Sequence, residues 1–238
     1  MKAMYLEDCY LRDFRATVES VNCNCVILDR TAFYPQSGGQ PSDLGTLTVS
    51  DEAFALTGVS VSDAGIVHCL DRAGLKIGDE VLGAVDWDRR YRFMRSHTAC
   101  HILSAVIFKE TGAKITGNQI DLLRSRVDFS LEKFDKSMMS DYVERANEIM
   151  LQNRVVKTYI LPRSKALEIP DLVRLAMDVP DREEIRVVEI EGVDTQACGG
   201  THVRSTKEVG RIKMAKAENK GKSNRRVYFE LVDLVPET

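Results

Sequence analysis

Apolar and polar positions alternate in short runs over the first 88 residues, a pattern typical of β-strands with one buried face. Turn residues separate the runs, and Gly74 and Gly78 precede the last of them. The segments that we expect to be strands are 16–21, 25–28, 46–49, 53–56, 66–70 and 80–85. Many short strands at close spacing predict a small barrel or sandwich.

After Trp87 the pattern changes to a period of three to four residues, which indicates a helix. Phe93, His97 and His101 share one face of this helix, which we expect over 90–110 with Gly112 as its stop. Further helices are expected over 133–152 and 164–176, and further strands over 126–129, 155–161, 185–190, 211–216 and 226–231. The sequence therefore predicts an α+β fold in two domains, an N-terminal small β-barrel over 1–88 and an α+β domain over 89–238.

A loop rich in glycine and proline, which we call the glycine loop, interrupts the first set of strands over residues 31–45. Its notable positions are Gly38, Gly39, Gln40, Pro41 and Asp43. Glycine and proline favour particular backbone angles, so the segment predicts a shaped turn. Two roles fit the pattern equally well: a structural link between strands, or a set of exposed backbone N–H groups near a ligand.

The composition is that of an ordinary globular protein, since 44% of the residues are apolar and 29% are charged. No apolar run approaches the length of a bilayer. The first ten residues include Glu7 and Asp8, where a secretion signal would be basic and then apolar. We therefore expect a cytoplasmic protein that does not contact a membrane, and the sequence makes no prediction about its oligomeric state.

Six cysteines are present, and without a secretion signal they are expected to be reduced thiols. Cys23 and Cys25 stand two residues apart in an apolar run, so both are expected on one face of a strand. With His68 and Cys69 they form a candidate second metal site, but two core cysteines are the simpler interpretation.

The net charge of −3 conceals an uneven distribution of charged residues. Residues 1–88 carry 6 basic and 14 acidic side chains, whereas residues 203–226, which we call the basic segment, carry nine Lys and Arg against two Glu. A concentrated basic segment predicts a surface that attracts a polyanion such as RNA, although a charge run is more often a solvated face.

The strongest chemical signal is a pair of short segments, residues 97–101 and 198–202, which contain three of the four histidines in the chain. Two imidazoles one helical turn apart, with a thiolate and an imidazole from a second element, make the nitrogen and sulfur set that zinc prefers. We therefore expect one zinc ion to be bound by His97, His101, Cys198 and His202. The alternative is a set of satisfied core histidines beside an unrelated cysteine.

Four protein ligands describe a closed, structural zinc site, whereas catalytic zinc keeps one position open. Catalysis would therefore require one ligand to bind weakly or to leave when substrate arrives. Thr98 stands where metalloproteases of the His-Glu-x-x-His type carry their glutamate, so peptidase activity is not expected. Asp194 and Thr201 are candidate partners for the second ring nitrogen of a bound histidine.

The two metal segments resemble those of the alanyl-tRNA synthetase editing domain, and more closely those of its freestanding relatives, the AlaX alanyl-tRNA editing proteins. They are shared with editing domains like that of threonyl-tRNA synthetase, so they are more selective for fold than for substrate. The glycine loop resembles the glycine-rich motif of the longer AlaX forms, which carry an N-terminal β-barrel, and residues 126–129 and 218–226 also fit. Two positions depart from the family pattern: Ser37 replaces a glycine, and Cys100 replaces a residue that is often threonine or another small one.

The resemblance implies a zinc-containing editing domain that hydrolyses the ester between a wrong amino acid and the 3′ end of alanine tRNA, without ATP. Seryl-tRNA is the preferred substrate, because a site that binds a hydroxyl rejects alanine, and glycyl-tRNA is a further candidate. Residues expected in the catalytic or substrate pocket are Thr98, Cys100, Thr116, Gly117, Asn118, Asp128 and Gly200. Residues expected to bind RNA phosphates are Lys220, Lys222, Arg225 and Arg226.

Two other functions stay open. One is a zinc-stabilised RNA-binding module without catalysis, although such a module would not need the polar residues Thr98, Thr116 and Asn118. The other is an editing hydrolase for another aminoacyl-tRNA, against which the glycine loop argues. The chain is too short for a complete synthetase, so charging of the tRNA is expected from another protein.

Overall fold

The computed structural model describes residues 2–132, 135–173, 182–221 and 223–232, and the chain forms two compact units, Met1–Arg92 and Phe93–Thr238. The helices are α1 (Trp87–Thr111), α2 (Lys136–Leu151) and α3 (Arg163–Ala166), with 3₁₀ turns at Met4–Leu6 and Thr206–Val209. The strands are β1 (Lys2–Ala3), β2 (Asp13–Asn22), β3 (Cys25–Leu28), β4 (Arg30–Thr31), β5 (Gly45–Val49), β6 (Glu52–Ser62), β7 (Gly65–Leu70), β8 (Glu80–Val85), β9 (Ile115–Gln119), β10 (Ser125–Phe129), β11 (Val156–Pro162), β12 (Glu184–Ile190), β13 (Asp194–Ala197), β14 (Arg211–Asn219) and β15 (Arg225–Val232).

Six strands of the first unit close into a barrel in the order β2-β3-β7-β6-β5-β8, and each strand is antiparallel to its neighbours. Alternate side chains along each strand point inward and fill the barrel. Those that are at most 2% exposed include Val18, Val26, Leu28, Leu47, Phe54 and Leu70. The predicted mixture of helices and strands and the small barrel are confirmed, and the domain boundary after residue 88 stays a prediction.

The second unit contains a four-stranded antiparallel sheet in the order β14-β15-β10-β9 and a three-stranded sheet in the order β11-β12-β13. Helix α1 is buried on every side from Phe93 to Ile107. A helix in such surroundings is normally apolar all round, so the histidines on α1 are polar groups that require partners in the interior.

The ends of α1 follow from local capping. The Asp86 carboxylate accepts a hydrogen bond from the Arg89 N–H at 3.2 Å, so the helix begins at Trp87, earlier than the apolar period suggests. Gly112 has a φ of 68°, a left-handed conformation that glycine adopts without strain, and it ends the helix as predicted.

The helix expected over 164–176 is wrong in the described part of that range. Only the single turn of α3 is helical, and residues 167–173 form turns and irregular backbone, while 174–176 lie outside the described residues. Pro170 lacks the N–H that a continuing helix needs and disfavours helical angles at Ile169. Strands β9 and β13 are the main additions, because each is short and lacks a clear apolar alternation.

The prediction that all cysteines are reduced is also wrong, because Cys25 and Cys69 form a disulfide. Strands β3 and β7 pair these two residues directly across the ladder, a neighbour relation that local spacing does not reveal. Cys23 lies in the turn before β3 with a φ of 54° and is exposed, so it does not share a strand face with Cys25. His68 contacts Thr31, and no second metal site forms among the described residues.

None of the helices in the described ranges is both long and apolar enough to cross a membrane.

Candidate metal centre

The structure brings together the four side chains that the sequence predicts as ligands. His97, His101, Cys198 and His202 each offer one donor atom, and these atoms lie within 4.8 Å of one another. The three histidines are at most 8% exposed. It is the one such group among the residues that the structure describes.

The spacing of the donors matches that of ligands around one ion. The Cys198 Sγ lies 3.4 Å from the His202 Nε2 and 3.7 Å from the His97 Nε2. Two ligands of one tetrahedral ion, with Zn–S near 2.3 Å and Zn–N near 2.0–2.1 Å, lie about 3.6 Å apart. The cluster therefore already has the dimensions of a metal centre.

Two different local structures position the ligands. One is α1, in which the four-residue step places His97 and His101 one turn apart. The other is the irregular segment after β13, which carries Cys198 and His202 and has no hydrogen-bonded ladder of its own. The Gly200 N–H donates to the Cys198 Sγ at 3.3 Å, so the backbone of this segment folds around its own ligand.

Arg186 on β12 ties the irregular segment down. Its guanidinium donates to the carbonyls of Cys198, at 2.7 Å, and Gly200, at 2.9 Å. Its own carbonyl accepts from the Cys198 N–H at 3.1 Å. Sequence reasoning missed this residue, because nothing local to Arg186 signals that it would face a segment twelve positions later.

The second ring nitrogens of two ligands have specific partners. The His101 Nδ1 lies 2.9 Å from the Asp194 carboxylate, which also accepts from the Gln196 amide at 2.8 Å. This contact confirms Asp194 as a partner for the second ring nitrogen of a candidate ligand. Thr201, the other candidate partner, is fully buried. The His202 Nδ1 lies 3.1 Å from the Thr98 Oγ1. In both rings Nε2 is the nitrogen left to face the cluster.

Thr98 was expected in the catalytic or substrate pocket, and the structure pairs it with His202 and Val203. It is fully buried, and its Oγ1 accepts a hydrogen bond from the Val203 N–H at 3.3 Å besides contacting His202. This placement fits a residue that orients His202 better than one that reaches substrate.

The cluster favours the metal-binding forms of Cys198 and His202, but not that of His101. Burial acts to raise the pKa of the Cys198 thiol, but the three neighbouring histidines outweigh it and bring the pKa well below its usual value. Burial, together with the charge of His97, lowers the pKa of His202. Burial also acts to lower the pKa of His101, but Asp194 and Cys198 raise it to about 10. A thiolate therefore faces the imidazoles, and the thiolate is the form that binds metals.

Cys100 lies beside the cluster but outside it. It is 5% exposed, and burial, with the neighbouring charge of Cys198, raises the pKa of its thiol. A neutral thiol is a poor ligand, so Cys100 does not compete with Cys198. Gly200, also expected near the substrate, is buried in the segment that Arg186 holds.

The remaining expected pocket residues lie together on β9 and β10. Thr116 is exposed, and its hydroxyl donates to the Asn224 side chain at 3.0 Å. Gly117 is paired with Asp128 across the ladder, and Asn118 with Val127. A Cβ at Gly117 would lie 3.3 Å from the Asp128 Oδ2, so glycine leaves room for that carboxylate. Thr116 bonds to the turn before β15 and Asp128 to Arg126 and Arg226 of the sheet, so these contacts do not reach the four ligands.

Two arginines predicted to bind RNA have structural partners instead. Arg225 is 4% exposed, and its guanidinium donates to the carbonyls of Glu132, Gly221 and Asn224. The prediction that Arg225 binds an RNA phosphate is therefore wrong, because a buried guanidinium surrounded by carbonyls is not available to RNA. Arg226 forms a two-pronged pair with Asp128, with both distances 2.7 Å.

The exposed lysines of the basic segment include Lys220, which pairs with Glu218 at 3.3 Å. Lys216 pairs with the same carboxylate. Lys213 pairs with Glu230 at 3.1 Å. Lys222, also predicted to bind RNA, lies outside the described residues. Carboxylates thus offset much of the positive charge that the sequence shows in this segment.

The glycine loop is a built turn with an exposed tip. Gly38 and Gly39 have φ values of 56° and 81°, and Ser37 and Gln40 exchange backbone hydrogen bonds around them. Gln40 is fully buried, whereas Pro41 is half-buried. These features favour a shaped turn, as predicted, and leave the tip accessible.

A buried ion pair anchors the base of the glycine loop. The Arg90 guanidinium donates to both oxygens of Asp43, and neither side chain is exposed. Arg90 also donates to the carbonyls of Cys9 and Ala32, and Asp43 accepts from the Tyr34 N–H at 2.6 Å. The carboxylate at position 43 therefore holds the loop in place.

Comparison with known protein families gives matches in both parts of the chain. Residues 4–89 match the family model described as tRNA synthetases class II (A). Residues 185–228 match the model described as threonyl and alanyl tRNA synthetase second additional domain.

Individual relatives match over nearly the whole length. The chain is 51% identical over 241 residues to alanyl-tRNA editing protein AlaX-M of Methanosarcina barkeri, covering 98% of this chain and 99% of that protein. It is 44% identical to AlaX-M of Saccharolobus solfataricus, covering 95% and 97%. Alanine–tRNA ligase of Pyrococcus abyssi is 38% identical, over 96% of this chain but 25% of the ligase. The chain therefore belongs to the AlaX family of alanyl-tRNA editing proteins, of the AlaX-M type.

Proposed function

We propose that the protein is a trans-editing hydrolase that removes a wrong amino acid from alanine tRNA, with seryl-tRNA preferred and glycyl-tRNA a further substrate. The observation that carries the proposal is the four-ligand cluster formed by α1 and the segment after β13, in a chain whose relatives are named alanyl-tRNA editing proteins. Zinc is the proposed ion, because imidazole nitrogen and thiolate sulfur, the donors of this cluster, are ligands that zinc prefers in proteins.

The cluster residues would hold the ion, and bound zinc supplies polarisation of a carbonyl, activation of a water or orientation of the substrate amine. The chain's own contribution is positional. Asp194 and Thr98 fix the rings of His101 and His202, and Arg186 fixes the segment that carries Cys198. An aminoacyl ester is already activated, so placement of water and ester contributes most of the rate.

Selectivity for serine would come from a polar group that pairs with the substrate hydroxyl and that alanine would leave without a partner. Thr116 remains our proposed contact, since its exposed hydroxyl already donates to Asn224 and can exchange that partner. A Thr116→Val variant should then lose activity on seryl-tRNA more than on glycyl-tRNA. Equal losses on both would remove Thr116 from the selectivity.

The direct experiment is to incubate the protein with alanine tRNA charged with serine, glycine or alanine and to follow loss of the ester. We expect fast loss of serine, slower loss of glycine and retention of alanine. RNA binding without acceleration over buffer on any of the three would falsify the hydrolase and favour a zinc-stabilised RNA-binding module. Preference for another charged tRNA would favour the related editing hydrolase.

A further inference from the structure

A cavity of about 260 Å³ lies in the second unit between α1, α2 and the turn that joins β12 to β13. Its rim carries Lys109, Arg145 and Arg154 with a single carboxylate, Glu148, and its floor includes Val106 and Ile149. We propose that this cavity, the basic pocket, binds a phosphodiester of the RNA substrate. The proposal rests on the proposed function and names a place where the tRNA is held.

Two cations of the basic pocket keep their charge available. Lys109 is exposed and forms no salt bridge with a described residue. The Arg154 guanidinium donates to the amide oxygen of Gln152 at 2.7 Å and to the carbonyl of Glu191 at 2.9 Å. Both acceptors are neutral, so they orient the guanidinium without cancelling its charge. No carboxylate of a described residue bonds to this guanidinium, so a phosphate oxygen would be its first anionic partner.

The third cation contributes less. Arg145 pairs with Glu110 at 2.7 Å, and both side chains are more than two-fifths exposed. An exposed pair of this kind exchanges partners at little cost. A phosphate in the cavity can therefore draw on Arg145 once Lys109 and Arg154 hold it.

The backbone at the edge of the pocket is shaped around Arg154. Gly192 has a φ of 66°, and a Cβ at that position would lie 2.7 Å from the nearest guanidinium nitrogen of Arg154. Glycine thus serves the turn in two ways, because it adopts the left-handed angle and leaves room for the arginine. A side chain at position 192 would displace the guanidinium from its present position over the turn.

The basic segment offers a weaker electrostatic site, despite its larger number of cations. Lys216 and Lys220 share Glu218, and Arg226 is held by Asp128 at two points. The Arg226–Asp128 pair is largely buried, so an RNA phosphate would have to displace Asp128 to bind Arg226. In the basic pocket, Glu148 and Glu110 lie near the cations, but among the described residues neither forms a salt bridge with Lys109 or Arg154.

The pocket also lies close to the candidate metal centre. Lys109 follows His101 by eight residues on α1, a rise of about 12 Å along the helix. The turn residue Val193 directly precedes Asp194, whose carboxylate binds the ring of His101. The pocket and the candidate metal centre thus share α1 and the start of β13, and the apolar floor would accommodate the sugar or base attached to the phosphate.

The test measures binding of uncharged alanine tRNA to the full-length protein at several salt concentrations. The variants are Lys109→Met and Arg154→Met, with Arg154→Lys as a charge-preserving rescue and Lys165→Met as a matched control, since Lys165 is 65% exposed and pairs with Glu168. Each pocket variant should raise the Kd several-fold and reduce the salt slope by about one, the value for one lost phosphate contact. The rescue and the control should keep the wild-type slope.

Wild-type Kd and slope in both Met variants would overturn the proposal. The proposal would also be overturned if adenosine monophosphate bound the wild type but not the variants while all the proteins had the same affinity for tRNA. That result would assign the pocket to a small nucleotide. Hydrolysis of seryl-tRNA by the same preparations separates the two claims. If the wild type hydrolyses seryl-tRNA and the pocket variants have the same KM, the proposed phosphate site is refuted and the proposed function is not. If the wild type binds tRNA through the pocket but does not hydrolyse seryl-tRNA, the proposed function is refuted and the phosphate site is not.

Discussion

The contact between Asp194 and His101 provides the sharpest perturbation of the candidate metal centre. The Asp194 side chain is fully buried, and a single oxygen accepts from both the His101 Nδ1 and the Gln196 amide. In Asp194→Asn the amide oxygen can accept both hydrogen bonds in the same place. The substitution therefore removes the negative charge while it preserves shape and donor pairing.

The expected loss follows from the role of the carboxylate. A buried carboxylate makes a histidine ring a better ligand by stabilising the positive charge that develops on metal binding. Loss of such a partner costs about 10- to 100-fold in metal affinity, or about 1.4–2.7 kcal/mol. The low exposure of both groups keeps solvent screening small, so we expect the upper half of that range.

The assay is competition for zinc between the protein and a chromophoric chelator of known affinity. Thr98→Val serves as the comparison, because it removes a neutral hydroxyl from His202, and its zinc affinity should fall less than that of Asp194→Asn. Circular dichroism establishes that both variants are folded. Wild-type zinc affinity in folded Asp194→Asn would refute the role of Asp194 in tuning His101.

Three further predictions concern the first unit. Arg90→Met should lower the free energy of unfolding in urea by about 3–5 kcal/mol, because it leaves the Asp43 carboxylate buried without its cation. The double variant Arg90→Met/Asp43→Leu should recover part of this loss, and a double variant no more stable than Arg90→Met alone would contradict the explanation. Burial lowers the pKa of His68 from 6.5 to about 4, so as the pH falls His68 is protonated in the unfolded chain before it is protonated in the folded one. The free energy of unfolding should therefore fall by about 3 kcal/mol between pH 6.5 and 4. An equal fall in a His68→Gln variant would exclude this cause. Gly45→Ala should lower the free energy of unfolding in urea far more than Gly38→Ala, because a Cβ at Gly45 would lie 2.1 Å from a backbone oxygen whereas a Cβ at Gly38 would meet open space. Equal losses in the two variants would show that the barrel backbone shifts to accept the methyl group.

Features that depend on local spacing were predictable from the sequence. The four-residue step of His97 and His101 on a helix, and the glycine turn after Ser37, require only the geometry of a few adjacent residues. The pairing of these histidines with Cys198 and His202 is a long-range contact. It was accessible because the ligand types are rare in this chain and chemically specific.

Features that depend on strand register were not predictable. The Cys25–Cys69 disulfide exists because β3 and β7 place the two residues opposite each other, and spacing within one strand carries no sign of this. Likewise Arg226 stands opposite Asp128 across β15 and β10. A count of charges along the chain therefore overstated the positive surface of the basic segment.

The roles of Arg186 and Thr98 depend on the same long-range placement. Arg186 meets the Cys198 segment only because β12 and β13 form a ladder that runs into it. Thr98 turns towards His202 because α1 passes the segment after β13. A helical threonine usually bonds to its own backbone, so its sequence context pointed elsewhere.

Zinc content and seryl-tRNA hydrolysis, measured on the same preparations of wild type and Cys198→Ala, test the central claim most directly. We predict one zinc ion per wild-type chain, with rapid deacylation, and loss of both in the folded variant. A Cys198→Ala protein that lacks zinc and still deacylates seryl-tRNA at the wild-type rate would contradict the assignment of the four-ligand cluster as the editing centre.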